Sequence, residues 1–403
     1  MRPPFDAVIF DLDGTLVATD RFWPDAARAG ALAAFVELGL DREPPTPEVW
    51  MGMVGLPLDQ GFDQVFADLE PDQRAHLMAA CVREEHRLLD EGRAGLLPGT
   101  EAALDHLQRG GVRMGIASNC SQAYLDAMLT GMGLARWIEE GRCLDSPRIS
   151  NKADMVEDLL LTFGTRSAVM VGDRAGDRDA AWANGIPHMH LARGYAVAGE
   201  QVEAEAVLLG LDQLPARLDA RHVALDGWID ALEVPSAGAT IGIAGKALSG
   251  RSLFARDLAR RFEARGRSTQ VVASAAHMRA DWCPAANPDP LLESAAAIDL
   301  DALADQLARP REEGVVRLVE GPGLLHPRVG VHLDRQLWLD VPPAVAERRA
   351  LGRDGRLAGP KAVELAFGRW RALDLAVAAS VSMGNLGVVV DAGNALEPVP
   401  FPG

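Results

Sequence analysis

Short unbroken apolar runs, each closed by small or acidic residues, alternate along this chain with stretches in which apolar residues recur every three or four positions. The first pattern is that of strands buried on both faces, and the second that of helices packed on one face. Ala7-Val8-Ile9, residues 112–117 and Ala168-Val169-Met170-Val171 predict three such strands. Met155, Val156, Leu159, Leu160 and Phe163 predict a helix opened by Asn151-Lys152 and stopped by Gly164. About eighty residues separate the first two strands, too many for a connection, so they must form a module of their own. In that module Ala26, Ala27, Leu32, Phe35, Val36 and Leu38 predict one helix, and Leu77, Met78, Cys81, Val82 and residues 86–89 another. The chain then re-enters the core through Leu96-Leu97-Pro98-Gly99-Thr100, a turn whose threonine is placed to cap the next helix.

After Leu191 the pattern weakens, and residues 198–237 read as a linker or edge helices. It restarts with the strand Thr240-Ile241-Gly242-Ile243-Ala244 and a helix carrying Phe254, Leu258 and Phe262, ended by Gly266. Residues 270–273, 315–321 and 337–341 predict further strands. Strands alternating with helices point to an α/β chain of two domains plus an insertion, which its 403 residues allow.

The first strand runs into Phe10-Asp11-Leu12-Asp13-Gly14-Thr15. Side chains two apart in extended chain share a side, so Asp11 and Asp13 can face one site, and Gly14 allows a tight turn there. One carboxylate could attack an electrophile, the other shuttle a proton, and both could hold a hard cation; a solvated acidic turn would look the same. The second strand ends in Ser118-Asn119, donors suited to phosphoryl oxygens. Lys152 lies on a first helical turn, where the helix dipole disfavours a cation and a bound anion would explain it. The third strand leads into Gly172-Asp173-Arg174-Ala175-Gly176-Asp177, with two more oxygen donors in Asp173 and Asp177.

These four segments, in this order, resemble the signature motifs of the haloacid dehalogenase superfamily, in its phosphatase branch, over roughly residues 5–195. The resemblance implies a Rossmann-like core (residues 1–16 and 96–197) with an inserted α-helical cap (17–95), as in its phosphoglycolate phosphatase and phosphoglucomutase-like members. It implies that Asp11 is the nucleophile, Asp13 the acid and base, and that Gly14, Ser118, Asn119 and Lys152 bind phosphate. It further implies that Asp11, Asp13 (through its carbonyl), Asp173 and Asp177 surround Mg2+. Arg21, Trp23 and Trp50 are candidate substrate contacts in the cap, with Met51 and the loop at residues 52–57. Trp and Met at helical spacing also suit a core. Ala18-Thr19 departs from close relatives, so the substrate is left as a small phosphorylated molecule.

The later strand is followed by Gly245-Lys246-Ala247-Leu248-Ser249-Gly250-Arg251-Ser252, the spacing of a phosphate-binding loop between strand and helix. Residues 238–393 resemble the uridine kinase and phosphoribulokinase-like P-loop kinases, which implies a second α/β domain over 238–403 binding a nucleotide through Gly245, Gly250, Arg251 and Ser252. Arg348, Arg349, Arg353 and Asp354 resemble a basic lid. Arginine stands where that loop carries lysine, and the two are not equivalent around phosphate. Ala275 and Ala276 stand where a carboxylate base is expected, so the domain is read as degenerate.

A formal charge of −17 argues against nucleic-acid partners. No uninterrupted apolar run of about 18 residues is present, which argues against a membrane span. Residues 1–5 lead straight into a strand, leaving no room for a signal peptide. Four cysteines, Cys81, Cys120, Cys143 and Cys283, lack metal-ligand spacing and suit a reducing, cytoplasmic setting. The Ala, Arg and Gly content resembles bacterial GC-rich coding. The expected function is therefore a Mg2+-dependent phosphatase forming an aspartyl phosphate, with a nucleotide- or phosphate-binding C-terminal domain. A phosphomutase, a bifunctional phosphatase and kinase, and a metabolite sensor or scaffold remain alternatives, and a homodimer is left open.

Overall fold

β1 (Ala7–Phe10) is buried at every position and lies between β2 (Arg113–Ala117) and β4 (Ala168–Gly172), parallel to both. This is the arrangement that unbroken apolar runs demand, since side chains on both sheet faces must be covered. The computed structural model describes residues 5–246, 248–279, 297–347, 349–350, 388–391, 396 and 399–400. It separates into two compact units that divide between Arg217 and Leu218.

In the first unit six parallel strands are ordered β3-β2-β1-β4-β5-β6, completed by β3 (Glu140–Arg142), β5 (His188–Leu191) and β6 (Ala206–Leu208). The order reverses direction around β1, which opens a crevice at the carboxyl ends of β1, β2 and β4. α7 (Lys152–Phe163) and α8 (Ala175–Ala183) bury Met155, Val156, Leu159, Leu160 and Trp182 against one sheet face. Each such side chain contributes about 1.5–3 kcal/mol by leaving water. α7 begins where Asn151 accepts a hydrogen bond from the Asp154 amide, and it stops at Gly164 in the left-handed region. α5 (Thr100–Arg109) and α6 (Gln122–Gly131) complete this core.

The inserted module comprises α1 (Trp23–Leu38), α2 (Pro47–Met53), α3 (Leu58–Val65) and α4 (Pro71–Asp90). Its core stacks Trp50, Phe62 and Phe66, with Trp23 edge-on to Trp50 at 6.2 Å. Leu32 and Val36, expected on the inner face of α1, are exposed; the small Ala26, Ala27, Gly30, Ala31 and Ala34 form that face and let α4 come close. The two chain crossings into this module pair: Ala18 donates to the Gly95 carbonyl and Leu97 to that of Leu16. Thr100 does not cap α5; its hydroxyl donates to the Leu16 carbonyl and ties the re-entry turn to the exit strand.

The second unit holds a six-stranded sheet ordered β12-β11-β10-β7-β9-β8. Its members are β7 (Ala239–Gly245), β8 (Thr269–Ala273), β9 (Val316–Glu320), β10 (Arg335–Asp340), β11 (Val388–Asp391) and an antiparallel β12 (Val399–Pro400). Residues 198–237 are more structured than a linker. Ala206–Leu208 adds an edge strand to the first sheet. α9 (Leu214–Ala231) inserts Leu225, Trp228 and Ile229 into the second core beside α10 (Arg251–Ala264). A buried Arg221–Asp257 ion pair joins α9 to α10. Arg348, Arg353, Asp354 and Cys283 lie outside the described residues.

A Cβ built on Gly30 would fall 2.4 Å from the Cys81 Cα, whereas one on Gly52 in α2 meets nothing within 4 Å. Gly30→Ala should therefore destabilise by about 1–3 kcal/mol through overpacking. Gly52→Ala should be neutral or stabilise by up to about 1 kcal/mol. Chemical denaturation of both variants checks this opposition of sign.

Candidate active site

Three strand ends deliver the polar residues. Asp11 follows β1 with its amide held by the Val171 carbonyl at 2.9 Å; Ser118 follows β2, and Asp173 follows β4. Lys152, on the first turn of α7, reaches back with Nζ to donate to Asp11 Oδ1 at 2.8 Å and Asp177 Oδ1 at 2.7 Å. All four of these charged residues are buried. Asp177 Oδ2 accepts from the Asp173 and Arg174 amides at 3.0 and 2.9 Å, so the start of α8 orients it. Asp173 accepts from Thr15 Oγ1 at 3.2 Å and from the Tyr195 amide at 2.5 Å. Gly14 makes this convergence feasible: its φ is +80°, and a Cβ there would lie 2.5 Å from Asp173 Oδ2. Gly14 thus serves the approach of Asp173.

One oxygen each from Asp11, Asp173 and Asp177 lies within 4.8 Å of the others, while Asp11 Oδ2 is buried with no hydrogen-bond partner. Three carboxylates face one ammonium. Burial pushes the Asp11 carboxyl well up and that of Asp173 up to about 7, each further raised by Asp177. Burial also works to raise Asp177, but the Lys152 ammonium overcomes it and holds Asp177 below its ordinary value. Burial would lower Lys152; Asp11 and Asp177 reverse that and keep it charged. A surplus of buried negative charge, all-oxygen donors and an orphaned carboxylate oxygen fit a hard divalent cation.

The Asp13 carboxylate stands apart from that cluster. Its Oδ1 accepts from both Thr19 Oγ1 and Tyr124 OH, each at 2.6 Å. Burial raises the Asp13 carboxyl against these two hydrogen bonds, and burial followed by Asp13 raises the Tyr124 phenol, which stays a donor. Asn119 Nδ2 donates to the Gly55 carbonyl of the cap loop at 3.0 Å. Arg174, paired with Glu200 at 2.8 Å, donates to the neighbouring Val54 carbonyl. Two core side chains therefore fasten the cap loop beside the site.

Trp23 and Trp50 are buried in the cap core, with Trp23 Nε1 donating to the Trp50 carbonyl at 3.1 Å; they do not line an open face. Arg21 is exposed at the cap entrance. Thr15, Thr19, Glu85, Tyr124, Arg174 and Tyr195 escaped the reading of the sequence. The chain has only two tyrosines, and Tyr195 OH bonds Asp20 Oδ1 at 2.8 Å. Both phenols therefore converge on the segment from Asp13 to Asp20, and their scarcity was the available signal.

In the second unit Gly245, Leu248 and Gly250 take positive φ (+158°, +61° and +82°) around the turn from β7 to α10. Ser249 Oγ is buried without a partner. Arg251 Nη1 donates to the Gly245 carbonyl at 2.9 Å, Lys246 pairs with Asp340, and Ser252 is exposed.

The buried Glu85 of α4 has its carboxyl pushed up to about 8, by burial first and Asp13 second. The unfolded chain ionises this group near 4.5, so folded protein holds a proton that unfolded protein releases between those values. Stability falls as pH rises through that window. Glu85→Gln should raise the thermal midpoint at pH 8 by about 1 kcal/mol equivalent or more, and the gain should vanish at pH 4. Thermal unfolding at both pH values measures it.

Among the described residues no helix is long and apolar enough to cross a membrane. A sequence profile described as haloacid dehalogenase-like hydrolase matches residues 8–190. The chain is 32% identical over 234 residues to a plasmid-borne phosphoglycolate phosphatase of Cupriavidus necator, covering 55% of this chain and 96% of that one. It is 29% identical over 223 residues to a phosphoglycolate phosphatase of Pseudomonas putida, covering 52% and 78%. A solved structure titled as a predicted phosphoglycolate phosphatase from Haemophilus somnus aligns over 53% of this chain and 97% of that one, at 18% identity and a TM-score of 0.47. With its buried aspartate cluster at the strand ends, the chain belongs to the haloacid dehalogenase-like hydrolases and is a phosphoric monoester hydrolase.

Proposed function

We propose that the first unit is a Mg2+-dependent phosphatase that hydrolyses a small phosphorylated metabolite through a phosphoryl group carried on Asp11. The observation that carries this reading is the state of Asp11: Oδ1 is bound by Lys152, while Oδ2 is buried and unpartnered among Asp173 and Asp177. In the first step an Asp11 oxygen bonds to phosphorus, the phosphorus–oxygen ester bond breaks, and the departing oxygen takes a proton from Asp13. In the second, Asp13 takes a proton from water, whose oxygen bonds to phosphorus and releases Asp11. Lys152 orients Asp11 and presents positive charge to the phosphoryl oxygens, and the buried Ser118 is placed to donate to them. Mg2+ held by the Asp11, Asp173 and Asp177 carboxylates would offset the repulsion between a carboxylate nucleophile and a phosphate dianion. The fastened cap loop supports exclusion of bulk water. Because the relatives carry that name, phosphoglycolate is the first substrate to test.

For the second unit the reading is a phosphate- or nucleotide-binding domain of degenerate P-loop type. Its support is the glycine-bounded loop at the carboxyl end of β7, where strand order reverses between β9 and β10, and the buried, unpartnered Ser249 hydroxyl. Arg251 folds onto its own loop and Lys246 is paired with Asp340, which disfavours kinase activity. A metabolite-binding role fits these contacts better than the bifunctional alternative.

Asp11→Asn should reduce phosphoglycolate hydrolysis by more than about 10^3-fold while the circular dichroism spectrum is retained. Chelation with EDTA should abolish turnover and added Mg2+ should restore it. Wild-type-like release of inorganic phosphate by the variant, or by metal-stripped protein, would overturn the assignment.

A further inference from the structure

We infer that Tyr124 is a positioning residue that sets which oxygen of Asp13 carries the catalytic proton. This rests on the phosphatase reading above and extends it to a residue outside the four motifs. Asp13 Oδ1 accepts two short hydrogen bonds, from Thr19 Oγ1 and from Tyr124 OH, both at 2.6 Å. Two donors occupy the in-plane lone pairs of one carboxylate oxygen, so a proton held by Asp13 resides on Oδ2. The grip comes from two directions. Thr19 belongs to the 3-10 turn Thr19–Arg21 that leads into the cap, and Tyr124 lies on α6 of the core. Tyr124 is itself fixed, because it is buried and its amide donates to Ser121 Oγ at the start of α6. The rigid phenol therefore supplies the core-side donor that keeps Oδ2 free to serve the ester oxygen.

In the step concerned, the bond between phosphorus and the alcohol oxygen breaks, that oxygen takes the proton from Asp13 Oδ2, and Asp13 is left ionised with Oδ1 still held. When water later attacks, Oδ2 regains a proton. Removing the Tyr124 hydroxyl leaves Oδ1 held by Thr19 alone, with one lone pair open to a proton, so the proton is shared between both oxygens. The loss should then track how much the leaving group depends on protonation.

The test compares Tyr124→Phe with wild type in Mg2+, using phosphoglycolate, whose alkoxide leaves poorly, and p-nitrophenyl phosphate, whose phenolate leaves readily. For a phosphoenzyme route kcat/KM reports the steps up to loss of the alcohol. The expected result is a fall in kcat/KM of about 10–100-fold for phosphoglycolate, a part of the roughly 10^2–10^4-fold that a positioned proton donor contributes, against only a few-fold for the aryl ester. An equal loss on both esters, or no loss on either, overturns the inference, since damage to the fold would not discriminate between leaving groups. Asp13→Asn is measured alongside. If it keeps phosphoglycolate hydrolysis, the acid role of Asp13 falls. If it loses that activity while Tyr124→Phe does not, the assignment of Tyr124 alone falls. A wild-type protein inactive on both esters removes the phosphatase reading and this inference together.

Discussion

A single buried ammonium holds the first unit's site together. Lys152 Nζ bridges Asp11 and Asp177, joining the end of β1 to the first turn of α8, more than a hundred residues later. Burying each ion costs several kcal/mol, which only good geometry and further hydrogen bonds recover. That geometry exists because α7 starts at Lys152, with Asn151 holding the first turn, and because the Asp173 and Arg174 amides satisfy the other oxygen of Asp177. One cation for three carboxylates leaves the cluster short of positive charge. That surplus of buried negative charge is what a hard divalent cation would offset beside a phosphoryl group.

What the sequence revealed follows from how each residue does its work. β1, β2 and β4 were legible because strands covered on both faces must be apolar throughout, and the polar residues that end them stand out by contrast. α7 was legible from its period and its two ends. Residues that act through tertiary hydrogen bonds carry no such mark. Thr19 and Tyr124 meet Asp13 across 6 and 111 positions, and no local rule links them. The same holds for Asn119 and Arg174, whose partners are cap-loop carbonyls, which every residue carries.

The cap shows how helical spacing leaves a large side chain's role open. Trp23 and Trp50 are candidate substrate contacts for which a core role is also in view, and they lie in the cap core, edge-on to each other at 6.2 Å with Trp50 also against Phe62 and Phe66. Conversely, Leu32 and Val36 look like core and lie outside, because the packed face is the small-residue one. α9 falls in the stretch read as a linker or edge helices, where Ala, Glu and Leu mix with Pro215 and Pro235, and its later turns close the second core. In the second unit the loop spacing was visible, but the direction taken by its cations was not, since the inward turn of Arg251 depends on a bond to the Gly245 carbonyl that no side-chain pattern marks.

The cap loop is held at Val54 and Gly55 by their main-chain oxygens. Any residue supplies such an oxygen at position 54, whereas Gly55 takes φ +90° and a Cβ there would lie 3.1 Å from Arg174 Cγ, so this half of the bend is tied to glycine. The two fastenings therefore differ in kind: the bond from Arg174 asks nothing of the Val54 side chain, while the bond from Asn119 comes with a backbone turn that only glycine takes without strain.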